Sequence, residues 1–265
     1  MSETEPEELN VVDIQDDKGP PVIKTLGIPV LNRGDLLLRC VLSVDSPIET
    51  LFIINNGQDK GVASAIARIE KRDMPNAGMF TNIRVEKFKN LGCGPSWNHM
   101  MRTSQGAWLI TGNDIQFSPG DVGRIKEALS KNPDASIVCA MGYAVYCMTE
   151  LGVRTVGMFD ENFYPAYYED NDHFRRVALS TAKAVGVDNF KAIHGEAPNW
   201  GSCTVNSDPT LQRKNSVTFT NLREYFVKKW GGEPGKETFG TPYNKKVPLD
   251  FWEIDPVLKD KNSIF

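Results

Sequence analysis

The sequence predicts an α/β domain built on a mainly parallel sheet covered by helices. Three observations carry that prediction. Apolar, β-rich runs alternate with segments of helical spacing through the first half of the chain, the pattern of parallel strands joined by crossover helices. The strands ending near residues 31, 54 and 111 each run into polar residues, Asn32-Arg33, Asn55-Asn56 and Asn113-Asp114, and open α/β sheets gather ligands outside the carboxyl ends of their strands. The 265 residues, 40% hydrophobic and 24% charged, suit one such domain with elaborations in a soluble protein.

Charge divides the chain. Residues 1–17 carry seven acids and no Lys or Arg, so the other 248 residues hold 30 bases and 27 acids against a total net charge of −4. The opening segment, acidic and poor in aromatics, reads as a disordered tail over residues 1–18. Residues 19–210 read as the main domain, and 211–265 as a C-terminal helix and wrapping segment. The five cysteines are odd in number and form no Cys-x-x-Cys pair, which points to reduced thiols and neither a disulfide framework nor a zinc site.

The elements follow in order. Val22 to Leu31 is a strand, interrupted in composition by Pro29. Gly34 to Val44 carries helical apolar spacing at Leu37, Leu38, Val41 and Leu42. Leu51 to Ile54 is a short buried strand, and residues 60–73 a helix with Val62, Ala65, Ile66 and Ile69 on one face. Ile83 to Phe88 is a strand, and Pro95 to Met101 a helix with Pro in its first turn. Trp108 to Thr111 is a strand, and 119–129 a helix with Ser118 as N-cap and Pro119 at the first position. Beyond it, Ser136–Ala140, Ala144–Cys147 and Phe190–His194 read as strands. Glu169 to Ala182 reads as a helix with an acidic first turn, and Leu222 to Trp230 as an amphipathic helix.

Three places carry potential chemistry. Asp114 ends a strand, where a carboxylate can hold a divalent cation or a phosphate-bearing ligand; an Asx turn is its structural alternative. Glu169-Asp170-Asn171-Asp172 opens a helix. Acids are favoured there by the helix dipole, and Asp172 stands at ion-pair spacing from Arg175 and Arg176, but the cluster exceeds what capping requires. His194 ends a strand beside the Gly195–Gly201 loop, whereas His99 and His173 read as structural. Signatures that fail are also informative. Gly92-Cys93-Gly94 lacks the third glycine of a dinucleotide fingerprint, Gly235-Lys236 is not a phosphate loop, and no Gly-x-Ser-x-Gly occurs.

Taken in order, these segments resemble an inverting glycosyltransferase of family 2, with the GT-A fold, a Rossmann-like sheet flanked by helices. Ile28-Pro29-Val30-Leu31-Asn32-Arg33 is similar to the family's first strand and loop. Ile53 to Asp59 is similar to its second strand, usually Asp-Asn-x-Ser-x-Asp. Asn90 to Asn98 resembles the segment along the donor, and Thr111-Gly112-Asn113-Asp114 stands where an Asp-x-Asp metal motif is expected. Phe159 to Phe163 followed by Glu169-Asp170 resembles the acceptor loop and Glu-Asp base motif. His194, then Gly201-Ser202, resembles the late metal-side histidine. The segment from Tyr225 to Asn244 is similar to C-terminal segments of viral and microbial members.

The resemblance implies transfer of a sugar from a nucleotide-diphosphate sugar to an acceptor hydroxyl in glycan or glycoconjugate synthesis. It implies Asp170 as general base and Mn2+ or Mg2+ held by Asp114 with His194. It also implies a donor site of Pro29, Asn32, Arg33, Asn55, Asn56, Asn90, Gly92, Asn98 and Asn113. Two departures stand out: Asn113 and Asn55 occupy positions where the family carries aspartate. A nucleotidyltransferase is the first competing reading, but its Gly-rich, basic first loop is replaced here by Asn32-Arg33-Gly34-Asp35. A binding module that kept the fold without the chemistry is the second. No Lys/Arg stripe favours nucleic acid. No apolar run of about 20 residues marks a membrane span and no secretory signal is visible, so the expectation is a cytoplasmic enzyme.

Overall fold

The computed structural model describes residues 21–197 and 199–247. The tail predicted over 1–18 and the end of the wrapping segment, 248–265, lie outside the described residues. The strands are β1 (Ile23–Val30), β2 (Ile48–Asn55), β3 (Phe80–Lys87), β4 (Ala107–Thr111), β5 (Ile115–Gln116), β6 (Ile137–Met141), β7 (Val145–Met148), β8 (Ala184–Gly186), β9 (Ile193–Glu196) and β10 (Asn199–Trp200). The helices are α1 (Gly34–Leu42), α2 (Lys60–Glu70), α3 (Cys93–Thr103), α4 (Asp121–Lys131), α5 (Glu150–Val156), α6 (Glu169–Leu179), α7 (Cys203–Asn206) and α8 (Pro209–Trp230).

Seven strands form the central sheet in the order β3-β2-β1-β4-β7-β6-β8. All neighbours are parallel except the two pairs that involve β7, so the predicted mainly parallel α/β sheet is what forms. The chain winds outward from β1 through β2 to β3, then crosses back to place β4 on the other side of β1. The order therefore reverses between β1 and β4, and the crevice outside their carboxyl ends is the expected ligand position. Near-continuous apolar strands explain the burial of this sheet on both faces: Leu26, Ile28, Leu51, Ile53 and Leu109 are fully enclosed. Pro29 fits within β1 because pairing with β4 ends at Gly27↔Ile110, before the missing N–H.

A small antiparallel sheet, β10-β9-β5, stands over that crevice. Its register sets Ile115 opposite His194, which brings a residue 80 positions downstream next to the end of β4. Several helix starts have clear local causes. The Asp59 carboxylate accepts from Val62 N at 2.7 Å to open α2, and Thr149 Oγ1 accepts from Gly152 N at 3.0 Å to open α5.

Three predicted helix starts shift. The helix expected from Pro119 begins at Asp121, because Gly120 takes φ 82, which no helical turn contains. The Asp121 side chain instead reaches back to accept from Ser118 N at 2.8 Å. The helix expected from Pro95 begins two residues earlier, at Cys93, with Pro95 still in the first turn, where its missing N–H has no partner to lose. The amphipathic segment expected over Leu222–Trp230 is the last part of the longer α8, opened by Pro209 behind an Asp208 cap.

Candidate functional site

The end of β4 is shaped to present one carboxylate. Gly112 precedes it, and a Cβ there would stand 2.8 Å from Asp114 Oδ1, so only glycine leaves the carboxylate its position. Asp114 is 5% exposed. Its Oδ2 accepts from Cys203 N at 3.0 Å, and its Oδ1 lies 3.4 Å from His194 Nε2. The main chain is fixed as firmly: the Asp114 carbonyl accepts from Gly195 N at 2.8 Å and from Arg39 Nη2 at 3.1 Å, while Arg39 also holds the Gly195 carbonyl at 2.9 Å. Helix α1, strand β4 and strand β9 thus converge on the Asp114–His194 pair.

Opposite lies the first turn of α6. Tyr167 and Tyr168 precede it with φ 80 and 70, two successive side-chain-bearing residues in the left-handed region, a costly conformation that concentrates at functional sites. Helix α3 comes close to this turn because it has no side chain at Gly94, where a Cβ would already touch Glu169 Cβ at 3.6 Å. Burial pushes the Asp170 carboxyl up from its ordinary range, opposed by N–H groups of Asn171 and of Asp170 itself. Burial, then the neighbouring Asp170, pushes Glu169 up much further. Asp172 behaves in the opposite way: burial alone would raise it, but Lys229 and Arg176 hold it low. Its Oδ2 accepts from Arg176 Nε at 2.9 Å, whereas Arg175 reaches the Phe239 carbonyl at 2.9 Å.

One cavity of about 280 Å³ joins the two sides. Pro29, Asn56, Asn90, Gly92, Asn113, Asp114, Asp170 and His194 line it, which unites most of the residues singled out in the sequence. Their roles at its wall differ. Asn56 spends its amide on structure, donating to Ser96 Oγ at 2.9 Å and accepting from Leu91 N at 2.9 Å. Asn90 Oδ1 accepts from Gly92 N at 2.9 Å, and Gly92 is required by φ 83 and by Pro165, whose carbonyl oxygen would meet a Cβ at 2.6 Å. The Asn113 amide faces Asn32 O at 3.1 Å and Arg33 O at 3.4 Å and accepts from Thr204 Oγ1 at 3.4 Å.

Four expected donor contacts stand apart from the cavity wall. Asn98 is fully buried, clasping both the N–H and the carbonyl of Phe159 at 2.8 Å. Asn55 accepts from Gly57 N at 3.0 Å in an Asx turn. Arg33 pairs with Asp35 and Glu196, and Asn32 donates to the Thr204 carbonyl at 3.0 Å. All four brace the loops that frame the cavity. His99 pairs with Glu86 at 2.7 Å, and His173 lies in the core, as expected for structural histidines.

Sequence reasoning missed the rest of the wall, including Cys93, Trp97, Tyr143, Tyr167, Ser202 and Asn215. The Asn90–Asn98 segment contained Cys93 and Trp97, and Gly201-Ser202, quoted beside His194, contained Ser202, but none of the three was singled out. Asn215 comes from α8, a segment that carried no motif.

A divalent cation fits this site by the chemistry of its donors. One carboxylate oxygen and one imidazole nitrogen meet at the cavity wall, and Asn113, turned to main-chain carbonyls, adds no ligand. No group of three or more His, Cys, Asp or Glu suited to a metal occurs among the described residues, so a cation here would take its remaining ligands from a bound molecule and water.

The family model described as Glycosyl transferase family 2 matches residues 25–182. A protein named galactofuranosyl glycosyltransferase from Leishmania donovani is 28% identical over an alignment of 133 positions that covers 42% of this chain and 30% of that protein. The chain therefore spans about 30% of that relative's length. Among solved structures, the mannosyltransferase PcManGT from Pyrobaculum calidifontis, in complex with GDP-Man and Mn2+, is similar with a TM-score of 0.57 at 13% identity, over 83% of this chain and 67% of that one. TarS 1-349 of S. aureus is similar with a TM-score of 0.50 at 8% identity, over 75% and 64%. At such identities the likeness is one of fold, and the fold is GT-A. With the family model covering more than half of its length, the chain belongs to glycosyl transferase family 2.

Proposed function

We propose that the protein transfers a sugar from a nucleotide-diphosphate sugar to an acceptor hydroxyl with inversion at the anomeric carbon. The observation that carries this reading is the convergence of Asp114, His194 and Asp170 on one cavity at the strand-order reversal. Inversion needs a base on one side of the reacting carbon and charge stabilisation on the leaving side, and Asp170 and the Asp114–His194 pair are suited to those two roles. Asp170 removes the acceptor's proton as its oxygen bonds to the anomeric carbon and the bond to the nucleotide diphosphate breaks. Asp114 and His194 would hold Mn2+ or Mg2+, which when bound offsets negative charge on the diphosphate. A mixed carboxylate–imidazole pair favours Mn2+, since Mg2+ is stricter in preferring oxygen. The relative solved with GDP-Man and Mn2+ supports the same choice. The acceptor is a glycan or glycoconjugate. No helix among the described residues is long and apolar enough to cross a membrane.

The test is Asp170→Asn, assayed with a panel of nucleotide sugars and Mn2+. Transfer is expected to fall by at least about 100-fold, the contribution typical of a positioned base, with donor binding nearly unchanged. Survival of transfer near the wild-type rate would remove Asp170 from this role. The pH dependence follows in sign. The base must be ionised, and burial raises its pKa, so kcat should fall as pH drops, with the acid limb above the ordinary aspartate value of about 3.9.

A further inference from the structure

The mechanism above leaves several polar groups of the cavity unused, and among these lining residues Glu169 is the one with an unpartnered buried oxygen. Glu169 is 4% exposed, lines the same wall as Asp170, and its Oε2 makes no hydrogen bond among the described residues. Buried carboxyl oxygens are ordinarily partnered, and one that is not marks a place where a partner is expected to arrive. The hydroxyl of Tyr146 is fully buried and also lacks a partner among the described residues. Beside these groups the cavity carries Trp97 and Tyr143. Carboxyl oxygens next to aromatic rings match the chemistry of a pyranose or furanose, which offers hydroxyls at its rim and C–H groups on its faces.

We propose that Glu169 is a sugar-binding residue, hydrogen-bonded through its carboxyl to a ring hydroxyl of the donor sugar. This inference rests on the nucleotide-sugar reading. The donor is favoured over the acceptor by depth. Glu169 is almost fully enclosed, whereas Asp170 beside it remains partly open. The acceptor must reach Asp170 from solvent, so the enclosed end is left to the sugar that binds before it. Burial keeps the Glu169 proton on well above the usual carboxylate range, which lets the group both donate and accept, as a hydroxyl partner requires.

Calorimetric titration of UDP-hexoses and GDP-mannose, each against UDP or GDP alone, with Mn2+ tests this. The variants are Glu169→Met and Glu169→Gln. Met keeps the length of the side chain but gives up the acceptor that the N–H groups of Glu169 and Tyr167 use, so a modest fall in melting temperature is expected and the binding ratio is read well below it. The affinity ratio of the bound sugar nucleotide to its bare nucleotide should fall about tenfold in Glu169→Met, the loss of one good hydrogen bond. It should stay within about threefold of wild type in Glu169→Gln, which still donates and accepts. An unchanged ratio in Glu169→Met, or an equal loss for the bare nucleotide, overturns the role of Glu169 while leaving the donor reading intact. Failure of every sugar nucleotide to bind the wild-type protein overturns the donor reading, and this inference with it.

Discussion

At the scale of single residues, Asn113 is the most instructive. Its position invites an aspartate by resemblance, yet the surroundings suit only an amide. Nδ2 faces the carbonyls of Asn32 and Arg33, so the side chain must donate there. A carboxylate in its place would set negative charge against two carbonyl oxygens at about the distances that now hold hydrogen bonds. Asn113→Asp is therefore expected to lower stability by about 1–3 kcal/mol, the cost of a buried polar group left against the wrong partner, in urea unfolding at pH 7. A variant as stable as wild type, with tighter Mn2+ binding, would mean that the position had kept its capacity as a metal ligand. Glu169 and Asp170 show the same dependence on surroundings. They are neighbours at one helix start, but one is enclosed and the other is partly open, and in the proposed reading that difference separates a binding group from a base.

At the scale of elements, legibility in the sequence followed how local each cause was. Strands β1, β2 and β4 were legible because a strand buried on both faces writes itself as an apolar run, and their ends were legible because polar residues follow at once. Strand β7 was legible as a strand but not as the antiparallel member, since pairing partners are set by distant chain. The Asp114–His194 contact was legible only by resemblance: the β5–β9 register that makes it joins segments about 80 residues apart. Helix α8 was half legible, because Pro209 to Asn221 buries little and leaves no clear periodicity.

Helix α6 carries one further test. His173 stacks on Phe159 with centroids 4.6 Å apart, donates from Nε2 to the Gly157 carbonyl at 3.3 Å, and accepts the Tyr143 hydroxyl at Nδ1 at 2.8 Å. Burial, then the nearby Arg176, holds its pKa well below the ordinary value. Above about pH 6.5 the ring is neutral in both states; below it the unfolded chain takes a proton that the folded one refuses, so stability is lost as pH falls. The stability gap between wild type and His173→Phe should therefore shrink by about 1 kcal/mol per pH unit below 6.5. A constant gap in urea titrations from pH 7.5 to 5 would place a proton on the folded ring.

At the scale of the whole molecule, the C-terminal helix is joined to the site by buried charge. Lys229, 1% exposed, inserts from α8 between two acids: its Nζ lies 2.7 Å from Asp160 Oδ2 and 2.6 Å from Asp172 Oδ1. The same carboxylates accept from the Tyr225 hydroxyl and from Trp230 Nε1, each at 2.8 Å, while Arg176 completes the set on Asp172. Asp172 shares the first turn of α6 with Asp170, and Asp160 lies in the loop that Asn98 clasps. The matched family segment ends at residue 182, so Lys229, Tyr225 and Trp230 come from outside it and act on Asp160 and Asp172 within it. A buried ion network adds little net energy over an apolar one, but removing one partner strands the other. Lys229→Met should thus cost about 3–5 kcal/mol, lowering the melting temperature by roughly 6–20 °C for a chain of this size. Adding Asp160→Asn to that variant should return part of the loss, because one stranded charge is removed while the amide can still accept from Tyr225. If Lys229→Met melts with the wild type, the network is not what binds α8 to α6. If it melts lower and the double variant recovers nothing, the loss comes from packing around the lysine stem and not from its charge.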